Sequence, residues 1–93
     1  MISPHSRPAL AAKSRLRDDR LTGRTILLAP ERGLFLSASA AAVVKLCDGQ
    51  RTVAEIVEEL VGVTGGERAT ITSDVGALLE ELAGRGLVTW QRP

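Results

Sequence analysis

Two apolar stripes of helical spacing, separated by an Asp-Gly pair, constrain the fold of this chain more than any other feature. Residues 40–60 read AAAVVKLCDGQRTVAEIVEEL. Apolar residues of the first stripe recur at i, i+3, i+4 and i+7, which is one face of a helix. They are Ala40, Val43, Val44 and Cys47. Gly49 suits the left-handed conformation in which helices often end. The stretch therefore predicts one helix, a break at Asp48-Gly49, and a second helix.

The same stretch predicts where both helices begin. Ser37 or Ser39 can cap the first helix. Thr52 and Glu55 have the spacing of a capping box, in which each side chain accepts a hydrogen bond from the other residue's backbone N–H. The buried face of the second helix is expected to comprise Val53, Ile56, Val57 and Leu60.

A third helix is predicted from Thr70 or Thr72 to Gly84 or Arg85, after the Gly-rich loop at residues 61–69. Its apolar stripe comprises Ile71, Val75, Leu78 and Leu82, and Leu79 widens that face. Gly86 ends the helix, and the LVTW stretch at residues 87–90 is expected to be extended, paired with a sheet or packed over the core.

Three short extended segments precede the helices. They are Arg15–Asp18, Arg24–Ala29 and Gly33–Ser37, with turn residues between them at 19–23 and 30–33. We expect a three-stranded antiparallel meander followed by a three-helix bundle, an α+β fold of the winged helix-turn-helix type. Residues 1–14 have no periodicity and are expected to form a flexible tail, so the folded domain is expected at residues 15–93.

The charge distribution bears on whether such a fold binds DNA. Residues 1–32 have a net charge of +4, whereas residues 33–93 have a net charge of −3. The second and third predicted helices are rich in Glu and Asp, and DNA binding requires Lys and Arg against phosphates. Aromatic residues make up 2% of the chain, too few for base stacking. A DNA-binding winged helix is therefore only an alternative hypothesis, favoured by the basic N-terminal third.

Catalytic residues are not apparent in the sequence. His5 is the one histidine and Cys47 the one cysteine, and Cys47 ends an apolar stripe, so we expect it to pack and not to react. No metal-ligand cluster or cofactor motif is present, and we expect a protein that is not an enzyme. No segment has the roughly 20 apolar residues of a membrane span. With a single cysteine and no secretory signal, the chain is expected to be cytoplasmic.

The third strand is the candidate binding element. Its sequence, GLFLS, has no Lys, Pro or charged residue, which proteins normally use to protect an exposed sheet edge. An extended peptide could add to such an edge beside the leucine-rich third helix. The predicted peptide-binding residues are Gly33, Leu34, Phe35, Leu36, Ser37, Val75, Leu78, Leu79 and Leu82. The same edge could instead pair with itself, which leaves a dimerising structural subunit as a third hypothesis.

Three segments resemble the PqqD family of pyrroloquinoline quinone (PQQ) biosynthesis. They are LLAPER at 27–32, SAAAVVKLCDGQRTVAEIVEEL at 39–60 and SDVGALLEELAGRGLV at 73–88. The resemblance implies a peptide chaperone, a RiPP recognition element of winged-helix architecture. Such a protein binds the precursor peptide PqqA and presents it to PqqE, a radical S-adenosylmethionine (SAM) enzyme that cross-links a Glu and a Tyr of the peptide. It also implies that the peptide adds as a strand along residues 34–36, beside the face at 75–82.

Overall fold

The computed structural model describes residues 3–91, which form an α+β fold with antiparallel sheets and three helices. The strands are β1 (Arg7–Leu10), β2 (Arg15–Asp18), β3 (Thr25–Ala29), β4 (Arg32–Leu36) and β5 (Val88–Gln91). The helices are α1 (Ala38–Lys45), α2 (Val53–Thr64) and α3 (Arg68–Gly84).

The predicted meander is confirmed: β2, β3 and β4 form an antiparallel sheet in that order. A two-residue loop, Pro30-Glu31, joins β3 to β4, with Ala29 paired to Arg32. Glu31 has a φ of 66°, the left-handed conformation that the second central residue of a type II turn requires. The left-handed residue of this turn is therefore Glu31 and not the nearby glycine, Gly33.

Side-chain caps set the starts of α1 and α2, as the sequence predicts. The Ser37 hydroxyl accepts a hydrogen bond from the Ala40 N–H at 3.1 Å. Thr52 and Glu55 form both bonds of the capping box, at 2.9 and 3.1 Å. The third helix begins at Arg68, earlier than predicted, and its N-cap Glu67 makes no side-chain capping bond.

The prediction of a tail without structure at residues 1–14 is wrong for Arg7–Leu10. This segment is β1, and it pairs antiparallel with β5 in a second, two-stranded sheet. Pro8 is buried, and its carbonyl accepts a hydrogen bond from the Gly49 N–H at 2.9 Å. The β1–β5 pair joins the two ends of the chain, so the extended LVTW stretch finds its partner at the N-terminus and not in the meander.

Residues before β1 also have a structural role, at the start of α2. The first N–H groups of a helix have no partner within the helix. The Val53 N–H donates to the Ser6 carbonyl at 2.9 Å, and the Ala54 N–H donates to the Pro4 carbonyl at 3.0 Å. The N-terminal segment thus complements the capping box, and the fold extends below the predicted boundary at residue 15.

One hydrophobic core lies between the three helices and the inner face of the meander. Its buried members are Leu27, Leu36, Ala41, Val43, Val44, Cys47, Val53, Ile56, Val57, Leu60, Val75, Leu79, Leu82, Leu87 and Val88. The whole predicted face of α2 is among them. From the meander, Leu27 of β3 and Leu36 of β4 are among these buried residues, and Leu16, Ala29 and Leu34 pack against them.

Candidate functional site

The candidate site is the free edge of β4. In the part of the chain that the structure describes, β4 pairs with β3 on one side and has no strand on the other. The other edge of this sheet is β2, whose sequence RLRD has three charged residues in four. Charged side chains protect a sheet edge against strand addition, whereas β4 has one charge, Arg32, at its first position. Of the two edges, β4 is the one suited to accept another strand.

The register of the sheet decides which backbone groups of β4 are free. The Asp19 N–H donates to the Arg24 carbonyl at 2.7 Å, so Arg24 faces β2. Hydrogen-bonding direction alternates along a strand, so Ile26 and Leu28 also face β2, whereas Thr25, Leu27 and Ala29 face β4. Their partners are Leu36, Leu34 and Arg32. The N–H and C=O groups of the two intervening residues, Gly33 and Phe35, therefore point away from the sheet.

The side chains of β4 alternate between its two faces. Leu36 is buried in the core, and Leu34 is half-buried against it. Phe35 lies on the outer face with 49% of its surface exposed, and the Arg24 guanidinium carbon lies 4.8 Å from the centre of its ring. Ser37, also predicted to bind peptide, follows the strand and caps α1. The predicted strand residues thus divide into an inner pair of leucines, an exposed aromatic ring and a helix cap.

The predicted α3 residues divide between the core and its margin. Val75, Leu79 and Leu82 are at most 1% exposed, and they belong to the core. Leu78 is half-buried and packs at the edge of that core, as does Ile71 two helical turns earlier. Of the α3 residues predicted to bind peptide, Leu78 is therefore the one that is partly exposed.

Arg32, which the sequence analysis did not single out, links the edge strand to α3. Its guanidinium donates a hydrogen bond to the backbone carbonyl of Arg85, the C-cap of that helix. The contact places the start of β4 beside the end of α3. Nothing in the sequence indicates it, because the two residues are far apart in the chain and arginine is common at surfaces.

The exposed surfaces carry charges of opposite sign. On α2, the exposed Glu58 carboxylate accepts two bonds from Arg68 at 2.7 and 2.8 Å, and these bonds lower the pKa of Glu58. On α3, the Glu81 carboxylate lies 3.5 Å from Arg85. On β2, Arg15 and Arg17 project from the face opposite the core. Helix α2 carries three glutamates and no basic residue, and α3 carries three carboxylates and one arginine, so both helices have a net negative charge. The outer face of the sheet presents guanidinium groups instead.

The Cys47 thiol has the environment of a packing residue. It is 6% exposed, and its Sγ lies 3.4 Å from the Val43 carbonyl oxygen. Burial, with a smaller contribution from Asp48, raises the pKa of the thiol to about 12. A thiol with so high a pKa is almost entirely protonated at neutral pH and is a poor nucleophile.

Residues 3–91 were compared with the requirements of a metal site and of a membrane-spanning helix, and they meet neither. Residues 3–91 contain no group of three or more His, Cys, Asp or Glu side chains arranged to hold a metal ion. Within the same residues, none of the helices combines the length and the apolar character that crossing a bilayer requires.

Comparison with known proteins connects this fold to one family. The family described as "Coenzyme PQQ synthesis protein D (PqqD)" matches residues 24–88. A protein of Rhodopseudomonas palustris (strain BisB5) named PqqA binding protein is 41% identical over 91 residues, which cover 98% of this chain and 89% of that protein. One of the same name from Xanthomonas euvesicatoria pv. vesicatoria (strain 85-10) is 40% identical over 81 residues, covering 87% of this chain and 88% of that protein.

Two solved structures are similar as well. One is the solution structure of the PqqD part of Methylobacterium extorquens PqqCD, described as a functional and stand-alone RiPP recognition element. It is 35% identical, with a TM-score of 0.84 over 96% of this chain and 95% of that one. The other is the crystal structure of PqqD from Xanthomonas campestris, 36% identical, with a TM-score of 0.59 over 94% and 97% of the two chains. These similarities confirm the resemblance seen in the sequence, and the chain belongs to the PqqD family.

Proposed function

We propose that this chain binds the precursor peptide PqqA of PQQ biosynthesis and presents it to the radical SAM enzyme PqqE. The observation that carries the proposal is the open edge of β4, with the outward N–H and C=O groups of Gly33 and Phe35. The names of the relatives, PqqA binding proteins, support this peptide as the ligand.

In the proposed mode of binding, the peptide adds as a strand along β4. Gly33 and Phe35 donate and accept its main-chain hydrogen bonds, which supply affinity without regard to sequence. Alternate side chains of the peptide then turn toward the core side, where the half-buried Leu34 and Leu78 offer apolar surface. Of the other predicted contacts, we assign Val75, Leu79 and Leu82 an indirect role, as the core that holds Leu78 in place.

The proposed role is non-catalytic. The protonated Cys47 supports it, and the chemistry is assigned to the partner enzyme. We assign the meander and the three helices to the winged helix-turn-helix type, and we place the protein in the cytoplasm, where a ribosomally made peptide is available. Helices α2 and α3 carry six carboxylates and one arginine, and this net negative charge opposes DNA binding, because those helices would face phosphates.

The first test is a titration of the ¹⁵N-labelled protein with synthetic PqqA and, separately, with duplex DNA. Strand addition should shift the amide signals of Gly33 and Phe35 most, and those around Leu78 next, whereas DNA should shift none at physiological salt. If the largest PqqA shifts fall in residues 52–61, the proposed groove is wrong. Sequence-dependent DNA binding with a dissociation constant below about 1 μM would instead favour the alternative hypothesis, a DNA-binding winged helix. If the Gly33 amide signal shifts with protein concentration in the absence of peptide, the β4 edges of two molecules pair with each other, which would favour the dimer hypothesis.

A matched pair of variants tests the α3 side of the groove. Leu78→Asp should weaken PqqA binding because it places a charge against apolar peptide side chains. Leu21→Asp is the control, because Leu21 is 96% exposed in the β2–β3 turn and should tolerate the same change. Circular dichroism must show both variants folded. Equal PqqA affinity for the two would remove Leu78 from the site.

Presentation to PqqE needs its own test. Adding PqqE to the labelled protein saturated with PqqA should broaden its amide signals through slower tumbling, while Gly33 and Phe35 keep their peptide-bound positions. Release of the peptide on adding PqqE, or no broadening at all, would contradict presentation and leave peptide binding intact.

A further inference from the structure

The outer face of the meander has a gap in its row of apolar side chains. The residues of this face are Arg15, Arg17, Ile26, Leu28, Gly33 and Phe35, as the register of the sheet places them. Gly33 is exposed, and it is the one member without a side chain. A Cβ built on Gly33 would lie 3.4 Å from Ile26 Cγ2 and 3.4 Å from Leu28 Cδ2, so carbon atoms of both neighbours border the empty space.

We define the Gly33 notch as this space on the outer face, bounded by Ile26, Leu28 and Phe35. It opens toward the free edge of β4, where the proposed peptide strand would lie. A strand added there would be about 4.8 Å from β4, with side chains alternating between the faces as in any sheet. The peptide residue beside Gly33 therefore points its side chain onto the outer face, next to the notch.

A glycine at a sheet edge is best covered by a large neighbour on the adjacent strand. Cross-strand pairs stabilise sheets, and an aromatic side chain that folds over a glycine protects the exposed backbone there. Here the surface under such a side chain is already apolar, because Ile26 and Leu28 flank Gly33. Beyond Leu28, in the same cross-strand row, stands Arg15.

We propose that the Gly33 notch is a specificity subsite that takes a large apolar side chain, aromatic or long aliphatic, from the bound peptide strand. This inference rests on the proposed strand addition and goes beyond it, because main-chain bonding alone would select no side chain. Lysine or arginine at this peptide position is disfavoured, because its charge would lie against the apolar side chains of Ile26 and Leu28. An aromatic side chain is accepted best, because its flat ring can cover the exposed glycine backbone and contact Ile26 and Leu28 together.

The test begins with the wild-type protein and PqqA. Nuclear Overhauser contacts from the Gly33 Hα atoms identify the peptide residue that lies in the notch. That residue is then changed to Ala and to Lys in synthetic peptides, and the dissociation constants are measured by isothermal titration calorimetry. We expect a large apolar residue at this position, and affinity losses of about tenfold for Ala and more for Lys, in line with the loss of a large apolar contact.

Protein variants test the same space from the other side. Gly33→Val fills the notch and should weaken PqqA binding about tenfold, with a smaller effect from Gly33→Ala. Neither should lower stability in urea unfolding, because Gly33 does not need a left-handed conformation and glycine weakens strands. Gly62→Ala on α2 is the control, since a Cβ there meets nothing within 4 Å. The affinity losses caused by Gly33→Val and by the Ala substitution in the peptide should not be additive, because both changes remove the same contact.

The outcomes separate the two proposals. If the wild-type protein fails to bind PqqA, the proposed function itself is wrong. The proposal that the Gly33 notch is a subsite is then wrong as well, because it depends on peptide binding. If PqqA binds and shifts Gly33 and Phe35, but Gly33→Val and Gly33→Ala bind as tightly as wild type, the subsite is wrong and strand addition stands. A polar or small peptide residue over Gly33 also overturns the subsite. If Gly33→Val fails to fold, Gly33→Ala and the peptide series decide.

Discussion

Replacing Phe35 by proline is the most direct test of strand addition, because the register assigns the Phe35 N–H to the open edge. Proline removes that donor and leaves the ladder with β3 intact, since Leu34 and Leu36 make those bonds. Edge strands tolerate proline where the lost N–H faces outward. A peptide carbonyl left without its donor costs about 1 to 3 kcal/mol. That corresponds to roughly a 5- to 150-fold weaker PqqA affinity.

Two further variants separate the backbone from the side chain. Phe35→Ala keeps the N–H but removes the ring and its contact with Arg24, which at an exposed site is worth about 0.5 to 1 kcal/mol. That contact lies within the protein, so its loss affects stability. Because Phe35→Ala keeps the outward N–H, whereas Phe35→Pro loses both the ring and the donor, Phe35→Ala should weaken PqqA binding by less. Leu34→Pro removes an N–H that bonds to β3 and should disrupt the sheet, so its loss of binding should come with a loss of folded signal.

The assay is isothermal titration calorimetry with PqqA, with circular dichroism and urea unfolding run on each variant. Phe35→Pro should remain folded and should bind PqqA more weakly than Phe35→Ala. Equal affinity of these two variants would refute the assignment of the Phe35 N–H to the peptide. If Leu34→Pro were as stable as Phe35→Pro, the alternation along β4 would be the reverse of the one inferred here.

Four other predictions concern the fold. Deleting residues 1–10 should lower the unfolding free energy in urea by about 3 kcal/mol, from several backbone hydrogen bonds at about 1 kcal/mol each; an unchanged value would make β1 dispensable. Cys47→Ala should cost about 1 kcal/mol in the same assay and leave PqqA affinity within a few fold, whereas a folded variant without binding would contradict a packing role. Glu31→Gly should raise the thermal midpoint, because glycine adopts the left-handed turn position at little cost; a lower midpoint would show a role for the carboxylate. Backbone N–H bonds from Arg51 and Gln50 lower the pKa of Asp48, so its stabilising effect is present above the unfolded-state pKa of about 3.9 and is lost as the pH falls through its lower folded-state pKa; in acid melts Asp48→Asn should therefore lose less stability than wild type, and an identical pH profile would refute this.

Local signals in the sequence predicted the elements that local interactions determine. The caps at Ser37 and Thr52 and the Pro30-Glu31 turn involve residues within a few positions of each other, so short sequence patterns report them. The strand bounds of the meander were within one residue of those observed. Family membership was predicted as well, since its three segments span most of the fold.

The pairing of β1 with β5 could not be predicted in the same way. The partners Pro8 and Trp90 lie at opposite ends of the chain, and RPAL has no alternation of polar and apolar residues. Prolines at positions 4 and 8 suggest a segment without structure, but a proline carbonyl can still accept, and both carbonyls do. The signal that could have led to β1 was indirect: the extended stretch at the C-terminus needed a partner that the meander did not supply.

The leucines of α3 show why the sequence could not tell which residues of the candidate site are buried and which are exposed. Val75, Leu79 and Leu82 are spaced i, i+4 and i+7 and form the buried stripe, which sets Leu78 at its margin. Three leucines within five positions leave the phase of the helix undetermined from sequence, because each could face the core. Packing against α2 settles the phase. Leu78 is partly buried against the core, so in the proposed contact with a peptide it would lose less conformational entropy than a fully exposed leucine.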